Sequence, residues 1–412
     1  MRVGVFADLG FPDYGGAHRI GVEFLCHFLE AAPVSRHRFV IFAEKGGKKR
    51  FDGSRPANVE WLYFDRSALV RKIAENGERV RAVMRKIFHP SKALLPVHWL
   101  ERASVKQGIE FMWFLGPSFA PVRMPYLYPV LDLQHRMNPW FPELASGRMW
   151  QNYEDILSRM IPRAAMVVTS TALGKSEVER FYRVPPERIH VIPYPTPRFA
   201  LEPHEAKDRN AVLQKYHIPP DAPYLFYPAQ FWSWKNHANL LYALDLLHRE
   251  HRLFYQLVLA GSDKGTLPHV RAIIRDFHLE KYVHILGFVP TEDLIELYRH
   301  AFALTYVTFC GPDNLPSLEA MALGCPVIAS PEPGILEQLG EAVLSVDPRD
   351  IHDIASKIRR LHEDPLLRRR LVDRGSSLAR SLTGKQYCER VFSLLDQFEP
   401  VRRTWPRRGR PW

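Results

Sequence analysis

The segment Gly311–Ser330 has the residue types and spacing expected of a phosphate-binding helix start. Asn314 can cap a helix, and Pro316 is tolerated in the first turn because the amide hydrogen it lacks would be unpaired there. Gly324 and Pro326 then end the helix. The free N–H groups and positive dipole end of a helix N-terminus attract anions. We therefore predict that this corner binds phosphate.

Two further residue positions suggest what surrounds the phosphate. Glu319 lies in the first turns of the same helix, where a carboxylate can accept both hydroxyls of a ribose diol or merely complement the helix dipole. Lys235 precedes a second helix in YPAQFWSWKNHANLLYAL. Its ammonium suits a leaving diphosphate, whose charge grows in the transition state, although a solvated surface lysine is the alternative.

A family resemblance favours the functional alternative for both residues. The segment LPSLEAMALGCPVIAS resembles the GxPxxEAMAxGxPVVAS signature of the retaining GT-B glycosyltransferases of family GT4, in a variant with a GPxNLP loop. The resemblance extends over most of the chain. It implies that Glu319 binds the donor ribose and Lys235 the diphosphate, and both are predicted to be catalytic residues.

The resemblance also implies an activity. A hexose-type sugar would pass from a UDP- or GDP-linked donor to a hydroxyl of a glycan, a lipid-linked acceptor or a small molecule. The expected chemistry is front-face transfer with retention at the anomeric carbon. Neither a metal nor another cofactor is expected, since the family typically manages without a catalytic metal and no DxD-type motif stands out at a strand end.

Two positions depart from the family pattern. Gln230 stands where the family usually has an arginine, and Gly311 stands where it generally has a second glutamate. Donor-sugar contacts must then come from Asp313, Asn314 or backbone amides, and a protein that binds a donor without transferring it stays a second hypothesis. The predicted donor-binding residues are Gly15, Gly16, Gln230, Lys235, Gly261, Phe288, Val289, Pro312, Asp313, Asn314, Leu315 and Glu319.

Two loops in the first half of the chain are candidates for the opposite wall of the site. DYGGAHR contains Gly15 and Gly16 and resembles the family's glycine loop near the donor phosphates and the acceptor. LDLQHRMNPWFPE follows a predicted strand, and we expect Asp132 to orient this loop. We hypothesise that His135 is a third catalytic residue that contacts the sugar or the acceptor hydroxyl, a structural histidine being the alternative. Trp140 and Phe141 could stack on a sugar or belong to the core.

The elements that must position these residues alternate between short apolar strands and longer helices, which predicts an α/β fold with parallel sheets covered on both faces. We expect a GT-B arrangement of two Rossmann-like domains facing each other across a cleft. The predicted strands are Val3–Ala7, His37–Phe42, Val59–Phe64, Glu110–Phe114, Tyr126–Leu131, Met166–Thr169, Ile189–Ile192, Tyr224–Tyr227, Gln256–Ala260, His284–Leu286, Ala303–Tyr306, Pro326–Ala329 and Val343–Val346.

The chain is expected to divide into an acceptor-side domain over 1–200 and a donor domain over 201–380. A helix over 381–400 would cross back to the first domain, ahead of a basic tail over 401–412. The proline-rich stretch Tyr194–Asp221 predicts an interdomain connection with one short helix.

Charge and composition limit the kinds of partner and the cellular location that we expect. The 412 residues carry 56 Lys and Arg against 45 Asp and Glu, a net charge of +11 that favours anionic partners. Basic stretches at Arg66–Lys106 and in the tail predict either solvated charge or docking on an anionic membrane. The lack of a secretory signal or a long apolar run, together with four scattered cysteines, favours a cytoplasmic protein, free or peripheral on the inner membrane face.

Two other classes of protein fit the sequence less well. A nicotinamide-linked oxidoreductase on the same scaffold predicts GxGxxG after the first strand, which Val3–Arg19 lacks. A nucleic-acid-binding protein predicts a clustered basic face without a donor pocket, so no nucleic acid partner is expected.

Overall fold

The structure, a computed structural model, describes residues 1–7, 16–44, 56–64, 99–145, 149–205, 207–311 and 315–405. Its strands form two sheets, both parallel throughout. The first holds β1 Arg2–Ala7, β2 Arg38–Glu44, β3 Val59–Phe64, β4 Phe111–Phe114, β5 Tyr126–Pro129, β6 Met166–Thr169 and β7 Ile189–Val191. The second holds β8 Tyr224–Pro228, β9 Gln256–Ala260, β10 Val283–Gly287, β11 Ala303–Tyr306, β12 Val327–Ala329 and β13 Leu344–Ser345.

Helices pack on these sheets and connect their strands. In the first part of the chain they are α1 Gly16–Ala31, α2 Trp99–Lys106, α3 Gln134–Met137, α4 Pro142–Ala145, α5 Met149–Met160, α6 Ala172–Tyr182, α7 Arg198–Leu201 and α8 Arg209–Lys215. They continue with α9 His237–His251, α10 Leu267–Asp276, α11 Thr291–His300, α12 Leu315–Ala322, α13 Pro333–Leu339, α14 Ile351–Glu363, α15 Pro365–Ser381 and α16 Gly384–Arg403. We refer to the first sheet with its helices as the N-terminal unit and to the second as the C-terminal unit.

The strand order of each sheet reverses once. The first runs β3-β2-β1-β4-β5-β6-β7 and the second β10-β9-β8-β11-β12-β13. The reversals fall between β1 and β4 and between β8 and β11, and ligands of open parallel sheets bind at the carboxyl ends of strands beside such a reversal. The loops that follow β8 and β11 are therefore the first place to look for a site.

Hydrophobic burial explains why these strands form. Their side chains are buried on both faces, in one cluster around the second sheet and two clusters flanking the first. A strand covered on both faces reads as a continuous apolar run, and all the predicted strands are present with ends shifted by at most two residues.

The connection between the sheets differs from the prediction. It contains two short helices, α7 and α8, where one was expected. Asp293 anchors α8 to α11: it is 2% exposed and accepts hydrogen bonds from Lys207 Nζ at 2.8 Å, from Tyr216 Oη at 2.8 Å and from Lys215 Nζ. Pairing of one buried acid with two ammonium groups holds the connection against the C-terminal unit.

Replacement of Asp293 with asparagine should destabilise the protein near neutral pH. Burial by itself would raise the pKa of Asp293, but the bonds from Lys207, Lys215 and Tyr216 outweigh it and lower the pKa to about 2. This carboxylate therefore stabilises the fold above the ordinary pKa of 3.8, and that contribution is lost as the pH falls towards 2. We expect D293N to cost about 2 kcal/mol at pH 7 and less than half of that at pH 2.5, measured by urea unfolding.

The last helix, α16, packs on the N-terminal unit. Tyr387, Val391 and Leu395 are buried in the same cluster as residues of β1 and α1. Arg36 Nε lies 2.5 Å from Asp396 Oδ1 and its Nη2 lies 2.9 Å from Glu399 Oε2. Among the described helices, none combines the length and the apolarity that a membrane crossing requires.

Candidate functional site

Lys235 lies where the strand-order argument places a ligand. It ends a short turn, Ser233–Lys235, between β8 and α9. Its Nζ donates to Tyr306 Oη at 2.5 Å and lies 4.0 Å from the centre of the Trp234 ring and 4.6 Å from that of Tyr306. Burial in the cleft lowers the pKa of Lys235 to about 7, against weaker opposing effects of Cys310 and Asp132. A bound anion would favour the charged form of this lysine.

The loop after β11 fixes the turn that carries this lysine. The carbonyl oxygen of Trp234 accepts from Phe309 N at 2.9 Å and from Thr308 Oγ1 at 3.0 Å. Asn236, with a left-handed φ of 58°, donates its side-chain amide to the carbonyl of Val307 at 2.9 Å. The loops on the two sides of the β8–β11 reversal therefore form one hydrogen-bonded corner.

Gly311 has a φ of +124°, in the range that favours glycine. A Cβ there would lie 3.6 Å from the Trp234 ring, an ordinary contact, so the cost of a side chain is backbone strain. The loop is built for glycine where the resembled family generally has glutamate.

Replacement of Gly311 with glutamate should therefore raise neither the stability nor the turnover of the protein. We expect both G311E and G311A to lower the free energy of unfolding by about 1–2 kcal/mol, because each must adopt the same left-handed backbone or deform the loop. Gly116, which has open space around it and no positive φ, is the matched control for substitution by alanine. Thermal unfolding of the three variants measures this difference, and higher stability or turnover of G311E would contradict the expectation.

Glu319 lies in α12, the helix that follows the loop after β11. It is 3% exposed, and one carboxylate oxygen accepts from Tyr298 Oη on α11 at 2.7 Å. Leu315 begins the same helix and is half-buried. The bond from Tyr298 thus orients the carboxylate of Glu319, and little of its side chain is open to solvent.

The other predicted donor-binding residues line the neighbouring strand ends. Gln230 lies two residues after β8, where its amide donates to Ser262 Oγ at 3.3 Å and accepts from Trp232 Nε1 at 3.0 Å. Gly261 follows β9, and a Cβ there would lie 2.3 Å from the carbonyl oxygen of Ala229, so only glycine fits. After β10, Phe288 is 85% exposed whereas Val289 is 6% exposed.

Four predicted residues lie outside the described part of the chain: Gly15, Pro312, Asp313 and Asn314. Most of the basic stretch Arg66–Lys106 and the end of the tail also lie outside it. Gly16 is the first residue of α1.

On the opposite wall, Asp132 is the exposed acid of the loop after β5. Its Oδ1 accepts from Gln134 N at 3.0 Å, an arrangement that orients the loop as expected. Although its side chain reaches solvent, partial desolvation at the cleft raises the pKa of Asp132, opposed by that backbone bond and by the charges of His135 and Lys235. The charges of Asp132 and Lys235 thus interact although the residues belong to opposite units.

His135 lies behind this loop rather than open to the cleft. It is 2% exposed, its Nε2 lies 3.2 Å from Glu154 Oε2, and its ring stacks on Tyr153. Burial lowers the pKa of His135, although Glu154 opposes the shift. The geometry favours the structural histidine that the sequence left as the alternative, and contact with a sugar would require the ring to leave Glu154.

Aromatic residues from both units meet across the cleft. Phe141 stacks on Phe309 with centroids 6.0 Å apart and 21° between planes, and Trp140 is 68% exposed beside them. Together with Asn138 and Arg349 they line a cavity of about 290 Å³. Trp140 and Phe141 are therefore at the cleft and not in the core. Phe309 and Arg349 were not predicted from the sequence. Their neighbours in the chain carry no motif that would indicate that they complete a cavity lined by the other unit.

Comparison with known proteins places this geometry in context. Residues 208–377 match the family model described as Glycosyl transferases group 1. The chain is 30% identical over 234 residues to O-antigen chain mannosyltransferase B of Escherichia coli. This alignment covers 56% of this chain and 60% of that protein. It is 25% identical over 231 residues to the MMP alpha-(1->4)-mannosyltransferase of Mycolicibacterium hassiacum, over 55% of this chain and 53% of that protein. The aligned region thus spans between half and two thirds of these curated relatives.

Solved structures resemble almost the whole chain. A sucrose-phosphate synthase from Thermosynechococcus elongatus has a TM-score of 0.69 at 18% identity, covering 97% of this chain and all of that one. Anabaena HepE, solved in complex with UDP and glucose, has a TM-score of 0.68 at 17% identity, covering 96% of this chain and all of that one. Likeness at such low identity concerns the fold, and with the two parallel sheets it confirms the predicted GT-B architecture of two Rossmann-like domains.

Proposed function

We propose that this protein is a glycosyltransferase that takes a sugar from a nucleotide-sugar donor bound in the cleft between its two units. The observation that carries the proposal is the position of Lys235, at the β8–β11 reversal, with Tyr306 and Trp234 around its ammonium. A cation at the carboxyl ends of parallel strands suits a diphosphate. The match of residues 208–377 to Glycosyl transferases group 1 supports the same assignment.

The donor would extend from Lys235 along the strand ends of the C-terminal unit. Lys235 stabilises the charge that develops on the leaving diphosphate, and Glu319 binds the ribose hydroxyls in the orientation that Tyr298 gives its carboxylate. The exposed ring of Phe288, after β10, is available to the base. Transfer proceeds with retention at the anomeric carbon, the leaving phosphate accepting the proton of the acceptor hydroxyl. No catalytic metal is required, because Lys235 supplies the positive charge.

The names of similar proteins narrow the donor. Two curated relatives are called mannosyltransferases, and one structural neighbour was solved with UDP and glucose. We propose a hexose-type sugar linked to GDP or UDP, and a hydroxyl of a glycan, a lipid-linked acceptor or a small molecule as its destination. The acceptor enters from the side of Trp140, Phe141 and Asp132.

Binding and turnover of candidate donors test the proposal. Thermal unfolding in the presence of UDP-glucose, GDP-mannose and ADP-glucose should show stabilisation by at least one of them. The stabilising donor should then be consumed in the presence of a mixed glycan extract, with or without EDTA. If none of the three stabilises the protein, the donor assignment is wrong.

One observation favours a second function. Gly311, with its positive φ, replaces a glutamate that the resembled family generally uses for the donor sugar. A protein that binds a nucleotide sugar but transfers it slowly or not at all would show stabilisation by a donor without consumption of that donor.

A further inference from the structure

Two carboxylates cross the cleft in opposite directions, and each binds backbone N–H groups of the other unit. Glu143, on α4 of the N-terminal unit, accepts from Trp234 N at 2.9 Å. Glu337, on α13 of the C-terminal unit, accepts from Ala172 N at 2.5 Å and from Leu173 N at 3.2 Å. Every one of these bonds joins one unit to the other. They therefore form together only when the two units hold one relative position.

The donor of the bond to Glu143, the Trp234 amide, lies in the turn that carries Lys235. The peptide groups of Trp234 are bound on one side by Glu143 of the N-terminal unit. On the other side they are bound by Phe309 and Thr308 of the C-terminal unit. The Trp234 ring lies 4.0 Å from the ammonium of Lys235. Displacement of Trp234 would therefore displace the surface on which the lysine rests.

Two backbone amides in the first turn of α6 donate hydrogen bonds to Glu337. The first amides of a helix have no partner within the helix. In α6, Thr171 Oγ1 accepts from Gly174 N at 3.1 Å, and Glu337 accepts from the two amides before it. If the units separated, Ala172 and Leu173 would lose their bonds to Glu337.

We propose that Glu143 is a positioning residue that makes the placement of Lys235 depend on closure of the cleft, and that Glu337 stabilises the same closed arrangement. The inference rests on the proposed function, since Lys235 is the group positioned. A hydrogen bond to a carboxylate shifts an equilibrium by about tenfold to a hundredfold. Loss of either carboxylate thus favours the open arrangement. Coupling of this kind would hold the donor unreactive until the acceptor side has closed over it and excluded water.

Backbone amide exchange reads both contacts directly and needs no substrate. We compare the full-length protein with E143L, E143Q and E337L. E143L should raise the exchange rate of the Trp234 amide by about tenfold, and it should also raise the rates at Ala172 and Leu173, which Glu143 does not touch. E143Q, which keeps a carbonyl acceptor, should restore most of the protection at all three amides. E337L should raise exchange at Trp234 reciprocally.

Glu101 provides a matched control. Its Oε2 accepts from Arg123 N at 2.8 Å, the same kind of bond, but within the N-terminal unit. E101L should raise exchange at Arg123 and leave Trp234, Ala172 and Leu173 unchanged. Amides of β5 and β8 should stay protected in every variant, which distinguishes opening of the cleft from unfolding.

Kinetics separate the inference from the proposed function. With a donor that turns over, E143L should lower kcat about tenfold and change the KM for the donor less than threefold, and E143Q should recover most of the rate. The inference is overturned if E143L leaves exchange at Ala172 and Leu173 at the wild-type rate, or if E143L leaves kcat unchanged. Failure of every donor to bind would instead overturn the proposed function, while the exchange comparison would still decide whether the two contacts are coupled.

Discussion

Replacement of Lys235 with alanine should lower kcat by about 10²–10³, the usual cost of one charge-stabilising donor in an active site. The ammonium is held by Tyr306 Oη at 2.5 Å and lies over the Trp234 ring, so it is fixed in place before a donor arrives. The measurement is the steady-state rate with the donor that stabilises the protein. Lys281, exposed at the amino end of β10 and therefore at the far edge of the second sheet, is the matched control. Retention of half the wild-type rate by K235A would remove the lysine from the mechanism.

The same lysine should impose a pH dependence on nucleotide binding. Burial lowers the pKa of Lys235 to about 7, and a bound diphosphate would raise it by favouring the ammonium. Below pH 7 Lys235 is mostly protonated, and its titration should leave the affinity for UDP or GDP unchanged. Above pH 7 the loss of its proton should lower that affinity by up to about tenfold per pH unit. K235R, whose guanidinium stays charged, should bind with a flat profile between pH 7 and 9. Calorimetric titration at four pH values measures both profiles.

The fold class is predictable from the sequence, and the two predicted donor segments are recognisable in it, because their signals are local. Both faces of strands such as β8 and β9 are covered, so each reads as a continuous apolar run, and the strand-order reversal then brings Lys235 to Tyr306. The role predicted for Glu319 came from the resemblance of one helical segment to a family signature. Its bond to Tyr298 was not predicted, because periodicity does not specify which buried hydroxyl faces a carboxylate.

The residues that sequence reasoning missed act across the cleft. Glu143 meets Trp234 across 91 positions of the chain, and Glu337 meets Ala172 across 165. Glu143 ends the quoted segment LDLQHRMNPWFPE but was not singled out in it, and Glu337 belongs to no quoted segment. Each would read as an ordinary surface acid until the two units are placed together. The local sequence also does not predict the direction of a side chain. Asp132 and His135 lie three residues apart in one loop, yet Asp132 is exposed and His135 packs against Glu154.

Replacement of Glu319 should abolish discrimination between ribose and deoxyribose in the bound nucleotide. If its carboxylate accepts the ribose hydroxyls, the wild type should bind UDP or GDP about tenfold to a hundredfold more tightly than the 2′,3′-dideoxy form, the worth of hydrogen bonds to a charged acceptor. E319Q should bind the two forms within about threefold of each other. It should keep most of its stability, because glutamine can still accept from Tyr298.

Tyr298→Phe separates the two roles that Glu319 combines. This variant removes the 2.7 Å bond beneath the carboxylate without removing the carboxylate. We expect Y298F to lose about 1 kcal/mol of stability while it retains the preference for ribose. E319A, which leaves the buried Tyr298 hydroxyl without this acceptor, should lose about 2–3 kcal/mol as well as the preference. Calorimetric titration with the ribose and dideoxyribose nucleotides, alongside urea unfolding, resolves both effects. If E319Q still prefers ribose as the wild type does, Glu319 is a structural acid and the ribose is bound elsewhere in the cleft.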